Sequence, residues 1–243
     1  MSKNKLQRFA ELKNFPNVLQ PAKPKFINWQ KHFGNNNDII LELACGHGGY
    51  TLGLAKMYPN KNFIGIDIKG ARIWKGAKFA LEQKLTNVAF LRTQIQWLDN
   101  FFILPKDDSK SLPLTKGEDR RGSRSVSEIW ITFPDPFPKK RHAKNRLTSP
   151  RFLDIYKKIL KPASATNGSG GIIHLKTDNI NLFNYSVETA IAENWKIKQI
   201  INNIYSLKTL PPELQIQTFY EKQHLKNARQ IHYLQIARES NSL

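Results

Sequence analysis

Cysteine is almost absent: the chain of 243 residues has one, Cys45, so no internal disulfide can form and a reducing compartment is expected. Histidine is scarce too. The six residues are scattered with no pair at metal-ligand spacing, which argues against a structural or catalytic zinc site. No apolar run approaches the roughly 20 residues that a membrane-spanning helix needs, and no amphipathic basic helix offers itself to a membrane surface. The opening MSKNKLQRFAELK lacks the apolar block of an export signal. A cytoplasmic location with neither membrane nor metal partner is the expectation. Acids are the last scarcity. There are 19 of them against 38 lysines and arginines, a formal net charge of +19 that no folding argument requires. A polyanionic partner explains it, nucleic acid before an anionic membrane.

What the chain does have is apolar content, 40% of residues, enough for one sizeable core. From Asp38 onward, short apolar runs alternate with segments of helical period. That is the pattern of strands joined by crossover helices in a largely parallel sheet, an α/β fold. Seven strands are predicted, at 39–43, 63–68, 88–91, 128–133, 171–176, 195–201 and 231–237. Helices are predicted at 50–57, at 72–83, at 152–160 behind Ser149 as N-cap and Pro150 as first residue, and at 181–193. Residues 1–37 stand outside the alternation, basic and Asn-rich with one short helix near 6–13, and read as an arm ahead of a domain at 38–243. Residues 105–127, PKDDSKSLPLTKGEDRRGSRSVS, have almost nothing to bury and read as a flexible insertion. A second soft stretch spans 162–170, and 207–220, with Pro211 and Pro212, reads as a loop entering a short helix.

Chemistry-bearing residues gather where predicted strands end. The first strand runs into ELACGHGGY, residues 42–50, where Gly46, Gly48 and Gly49 allow positive φ and close backbone approach. The glycines alone fit either an ordinary strand-to-helix turn or a ligand turn, and their spacing is not the full G-x-G-x-x-G fingerprint. The second strand ends in GID, with Asp67 where an acid grips ribose hydroxyls in such sheets. Turn and acid together favour a nucleoside cofactor. Glu42, just before the turn, would repel a pyrophosphate but welcome the ammonium and sulfonium of S-adenosylmethionine, which favours that cofactor over NAD. The alternative for Glu42 is a buried acid held by a loop amide.

The stretch FPDPFPKKRHAKNR, residues 133–146, sets Asp135 between two prolines just past the fourth strand. It is either an acid facing the ligand crevice or the cap of a proline-rich turn. The lysines and arginines at 139–146 either hold phosphates or are simply solvated. KTDN brings Asp178 to the same rim, unless Asp178 and Asn179 serve only to cap the next helix. Near the end, TFYEK contributes Thr218, Phe219, Tyr220 and Glu221, a weak signal by itself.

In that order, ELACGHGG, IGID, FPDPFPKKRHAKNRL, HLKTDN and TFYEK, preceded by RFAELKNFPNVLQP, resemble the bacterial tRNA (guanine-N7)-methyltransferases. These are class I enzymes that use S-adenosylmethionine. The resemblance spans most of the chain apart from the insertion. It implies a Rossmann-like class I methyltransferase fold, a seven-stranded, mostly parallel sheet with helices on both faces. It also implies methyl transfer from S-adenosylmethionine to N7 of a variable-loop guanine in tRNA. By the same resemblance Glu42, Gly46, Asp67, Gln94 and Asp135 line the cofactor, with Asp135 the active-site acid. Lys139, Asp178, Thr218, Phe219, Tyr220 and Glu221 contact the substrate, and Lys140, Arg141, His142, Lys144, Asn145 and Arg146 touch RNA. The sequence leaves a monomer and a homodimer equally open.

Three features depart from the family pattern. Gln94 replaces a usual Asp, keeping hydrogen-bonding capacity but losing a charge; Phe137 replaces a usual Trp, keeping the aromatic face but losing the indole donor; and residues 105–127 are longer than expected. Two other functions compete. One is an exocyclic-amine methyltransferase, whose (N/D)PP(Y/F) motif PDPF approaches with only one proline between acid and aromatic. The other is a catalytically silent RNA-binding protein on a methyltransferase scaffold, which cofactor binding or product formation would exclude.

Overall fold

The computed structural model describes residues 3–103, 126–163 and 170–238, with side chains from residue 6. Along the chain it runs α1 (Lys3–Leu12), β1 (Val18–Leu19), α2 (Trp29–Phe33), β2 (Ile39–Leu43), α3 (Gly49–Met57), β3 (Asn62–Asp67), α4 (Gly70–Glu82), β4 (Val88–Arg92) and α5 (Asp99–Phe102). After residues 104–125 come β5 (Val126–Thr132), α6 (Pro150–Ile159), β6 (Ile172–Thr177), α7 (Ile180–Ala192), β7 (Trp195–Ile201), α8 (Pro212–Gln215), α9 (Phe219–Lys226) and β8 (His232–Arg238). The predicted insertion lies outside the described residues as far as 125; Val126 and Ser127 already belong to β5, with Val126 fully buried. Most of the soft stretch at 162–170 also lies outside them.

One sheet has the order β1-β4-β3-β2-β5-β6-β8-β7. All neighbours are parallel except β8, which is antiparallel to both β6 and β7. The chain builds outward from β2 through β3 to β4, then returns to the other side of β2 to lay down β5. The crevice between the carboxyl ends of β2 and β5 is therefore the switch point at which such sheets bind ligands. The α/β prediction holds with eight strands in place of seven. The extra one is β1, two residues paired in parallel with Phe90 and Leu91 of β4, too short to show a period. Residues 3–37 also supply α1, which packs on α4 and buries Leu12. They supply Trp29 as well, whose ring stacks on Phe102 at 5.3 Å and whose Nε1 donates to the Phe101 carbonyl.

Two apolar layers cover the sheet. Because side chains alternate along a strand, Ile39, Leu41 and Leu43 of β2 point into the layer of α5, α6 and α7, with Phe102, Leu153, Tyr156 and Phe183. Ile40 points into the other, with Tyr50, Leu54, Ile73 and Ala77 of α3 and α4. Glu42 shares the face of Ile40, which brings a carboxylate beneath the first turn of α3. No described helix is long and apolar enough to cross a membrane.

Candidate active site

At the carboxyl ends of β2, β3, β5 and β6 a cleft of about 460 Å³ opens, within the roughly 300–1,000 Å³ usual for small-molecule sites. Glu42 forms its floor. Only 3% exposed, its Oε2 accepts from Thr51 N at 2.8 Å and Thr51 Oγ1 at 2.6 Å, and its Oε1 accepts from Thr132 Oγ1 at 3.2 Å. All three donors are neutral. Burial outweighs them and pushes the carboxyl up to about 7, so the site lacks the positive charge that would hold Glu42 ionised. The expected alternative, an acid held by a loop amide, is thus half realised: Glu42 does bind a main-chain N–H, yet it also faces the cleft.

Between β2 and α3 the backbone turns through Gly46 (φ +57°) and Gly48 (φ +71°), and a side chain at 48 would sit 2.7 Å from the Phe90 ring. Gly46 N donates to Asp67 Oδ2 at 2.9 Å, and Lys69 N to Asp67 Oδ1 at 2.8 Å. The turn and the acid at the end of β3 are therefore one unit. Each carboxylate oxygen takes a single bond, leaving lone pairs for hydroxyls in the cleft. Beside Asp67, Ile68 is 51% exposed and gives the cleft an apolar wall against which a planar base can lie. Cys45 lines the same wall, its thiol pushed up by burial and then by Glu42 and Asp67. These residues fit the adenosine and cationic amino-acid ends of S-adenosylmethionine: a charge-deficient buried acid, a ribose-facing acid and an apolar wall.

Past β5 the chain makes a constrained turn. Phe133 (φ +50°) and Phe137 (φ +42°) both occupy the left-handed region, each ahead of a proline, a conformation that costs on the order of 1–3 kcal/mol per residue. Two clamps hold it. Phe133 N donates to the Lys176 carbonyl of β6 at 2.8 Å. Arg146 donates from Nε and Nη2 to Phe137 O at 3.3 and 3.1 Å and from Nε to Pro136 O at 3.2 Å, with its guanidinium 4.2 Å from the Tyr185 ring centre. Between the clamps Asp135 is exposed at the cleft.

Asp178, at the end of β6, lines the cleft opposite. Its neighbour Asn179 alone caps α7, accepting from Leu182 N at 2.9 Å. That releases Asp178, whose Oδ2 meets Arg229 Nη1 at 2.6 Å and His224 Nδ1 at 3.3 Å. Thr218 Oγ1 caps α9 by accepting from Glu221 N at 3.1 Å, while Phe219 and Tyr220 extend exposed rings over the lip.

Of the residues expected here, the cleft brings together Glu42, Gly46, Asp67, Asp135, Asp178, Thr218, Phe219 and Tyr220. Others lie elsewhere. Gln94 sits in the turn after β4 and accepts from Gln96 Nε2 at 2.7 Å. Glu221 is fully buried under the lip, 2.7 Å from Lys176 Nζ. Lys139 is exposed beyond the cleft, and Lys140, Arg141, His142, Lys144 and Asn145 follow in the 3₁₀ segment Lys140–Asn145. Arg146 binds the proline turn. Ser149 precedes α6 as predicted, but its hydroxyl donates to Lys144 O rather than accepting from the helix.

Sequence reasoning missed Thr51, Thr132, Ile68, His224, Arg229 and Lys176. Only Lys176 carried a local signal, a lysine inside the buried strand Ile172–Thr177. Among the described residues no group of three or more His, Cys, Asp or Glu is arranged to hold a metal ion.

Comparison with known proteins adds ancestry. Residues 36–109 and 121–234 match the family model described as "Putative methyltransferase". The tRNA (guanine-N(7)-)-methyltransferase of Christiangramia forsetii is 43% identical, covering 96% of this chain and 97% of its own. That of Cytophaga hutchinsonii is 40% identical, with the same coverage. Among solved structures, the 16S rRNA methyltransferase KamB superposes with a TM-score of 0.59 over 88% of this chain and 95% of its own, at 12% identity, a likeness of fold.

Proposed function

The chain belongs to the tRNA (guanine-N(7)-)-methyltransferase family, and from that premise we propose that it transfers the methyl group of S-adenosylmethionine to N7 of a guanine in the variable loop of tRNA, in the cytoplasm. The observation that carries this is the meeting, in one cleft, of Glu42 and Asp67 with Asp135 and Asp178, two acids from the ends of the adjacent strands β5 and β6.

When bound, S-adenosylmethionine supplies a methyl group on a cationic sulfur. Glu42 takes the charge-deficient end of the cleft, where a cation restores its ionised form. Asp67, with the Gly46 turn that orients it, would hold hydroxyls of the ribose, and Ile68 would pack on the adenine face.

Guanine N7 is an acceptor lone pair with no proton to lose, so the chain needs no general base at that atom. Its task is alignment. Asp135 and Asp178 accept hydrogen bonds from guanine N1–H and the exocyclic amine. As N7 gains its methyl group the purine becomes cationic and those donors more acidic, so the carboxylate contacts strengthen in the transition state. Adenine is rejected because its N1 lone pair would face a carboxylate. The target base is unstacked to enter, with Phe219 and Tyr220 at the lip to receive it.

Incubating the protein with unmodified tRNA and methyl-labelled cofactor, then digesting to nucleosides, tests the proposal. Label is expected in 7-methylguanosine. Label on an exocyclic amine, or none at all, would overturn it.

A further inference from the structure

On the β3 side of the cleft stands a group of cations separate from the 139–146 run. Lys69 and Arg72 line the cleft. One helical turn along α4 lies exposed Lys75, and α1 brings Arg8 to within 5.0 Å of the Trp74 ring centre on the same helix. The imidazole of His47, in the glycine turn, is held down by burial and then by the fields of Lys75, Arg72 and Arg8, so the three charges converge on one place. Among the described residues no carboxylate lies within ion-pair distance of Arg8, Lys69, Arg72 or Lys75. The nearby acid Glu11 is engaged instead by Trp74 Nε1 at 2.8 Å and Gln7 Nε2 at 2.9 Å. Asp67 and Glu11 are the acids nearby, and neither is ion-paired to these four cations, so the like charges still repel one another and an anion set among them relieves that cost.

Exposed rings border the same group. Arg72 lies 5.9 Å from the Tyr220 ring centre, and Phe219, 59% exposed, meets His47 edge-on at 6.3 Å. Cations interleaved with exposed aromatics suit a single-stranded nucleic acid, whose phosphates take the charges and whose bases stack. A strand that sends one base into a cleft must leave that cleft in two directions. Here the cleft is bounded on one side by β3 and α4, with Lys69 and Arg72, and on the other by β5 and the turn 133–136, beyond which the exposed cations from Lys139 follow along the chain.

We infer that Arg8, Lys69, Arg72 and Lys75, with Tyr220, form a second RNA-binding surface that grips phosphates on one side of the target nucleotide while the exposed Lys139, Lys140, Arg141 and Lys144 grip those on the other. This rests on the proposed function, in which the cleft receives a base from RNA.

The test is tRNA binding measured from about 50 to 200 mM salt for wild type, Arg8→Gln/Lys75→Gln, Lys75→Glu, and Lys140→Gln/Arg141→Gln/Lys144→Gln. The Arg8→Gln/Lys75→Gln variant is expected to bind more weakly, with a salt slope smaller by about one to two, and the 140–144 variant likewise; the two losses combine when both sets are changed. Lys75→Glu, an exposed change that disturbs no packing, should weaken binding with an unchanged melting temperature. Affinity for S-adenosylmethionine should stay constant throughout. Normal wild-type binding with an unaltered slope in the Arg8/Lys75 variants would overturn the surface alone. Failure of the wild type to bind tRNA would overturn the functional proposal and the surface with it.

Discussion

Nζ of Lys176 lies 2.7 Å from Oε1 of Glu221, and neither side chain exposes any surface to solvent. The ammonium also donates to Tyr50 Oη at 3.0 Å and to the carbonyls of Leu214 and Ile216 at 2.9 and 3.2 Å, while Tyr205 Oη donates to the same Glu221 oxygen at 2.8 Å. One buried charge thus fastens α3, α8 and α9 to β6, the strand that presents Asp178. Burial draws the lysine down and Glu221 pushes it back up. Replacing Lys176 by Met would strand the carboxylate in the interior, at about 3–5 kcal/mol. Lys176→Met/Glu221→Leu is expected to recover part of that loss, because it removes the orphaned charge. Urea unfolding of the three proteins measures both. A single variant within about 1 kcal/mol of wild type would mean that the pair does not anchor the lip.

The family resemblance places Arg146 on RNA, but in the structure its guanidinium bonds the carbonyls of Pro136 and Phe137. It therefore fixes where Asp135 points. Arg146→Lys keeps the charge but loses the planar fork that spans two carbonyls. With one or two hydrogen bonds gone from a strained turn, turnover should fall about 10- to 100-fold, with tRNA affinity changed by less than about three-fold, since one exposed phosphate contact is worth little more. A role on RNA predicts the reverse, with Lys rescuing activity. Separating kcat from the tRNA dissociation constant decides between them.

Glu42 gives the protein a pH dependence whose sign can be worked out. Burial, only partly opposed by Thr51 and Thr132, raises its carboxyl from 4.5 to about 7. A folded pKa above the unfolded one contributes stability in full below about 4.5 and loses it as pH rises to about 7. At about 1.4 kcal/mol per pH unit that loss is on the order of 3 kcal/mol. Glu42→Gln should lack it, so its stability is expected to fall less than that of wild type between pH 4.5 and 7. A cation in the cleft favours the ionised form. S-adenosylmethionine should therefore bind more tightly as pH rises through about 7, releasing a proton that calorimetry detects as a dependence on the buffer's ionisation enthalpy. The Gln variant should show neither effect, and pH-independent wild-type binding from 6 to 8 would contradict the electrostatic role.

The strands were legible because a buried parallel sheet writes itself as short apolar runs, and the acids at their ends, Asp67, Asp135 and Asp178, could be assigned to one rim by topology alone. What stayed hidden has physical causes. A two-residue strand such as Val18–Leu19 has no period to detect. Arg229 and His224 reach Asp178 from 51 and 46 positions away along the chain, a contact made by the antiparallel return of β8 and not by any local pattern. Arg146 and Lys144, two residues apart in one basic run, differ in kind: one is clamped to a turn and the other is exposed. Composition cannot separate a cation that binds its own backbone from one that waits for a ligand.

Asp135 and Asp178 face the same cleft but should respond differently to loss of charge. Asp135 is exposed and its side chain makes no hydrogen bond or ion pair among the described residues, so Asp135→Asn should alter stability by no more than about 0.5 kcal/mol. Turnover should nevertheless fall by about 100-fold or more, because the contact it loses strengthens only as the purine becomes cationic. Asp178 is already paired with Arg229 and His224. Asp178→Asn unmasks a guanidinium where the base must bind, and a positive charge there opposes the developing cation as well as removing an acceptor. Its turnover should therefore fall further than that of Asp135→Asn, and Arg229→Gln in the Asp178→Asn background should restore part of it. Melting curves and single-turnover methylation of the four proteins give both quantities. If Arg229→Gln restores nothing, the arginine does not share the cleft with the reacting base.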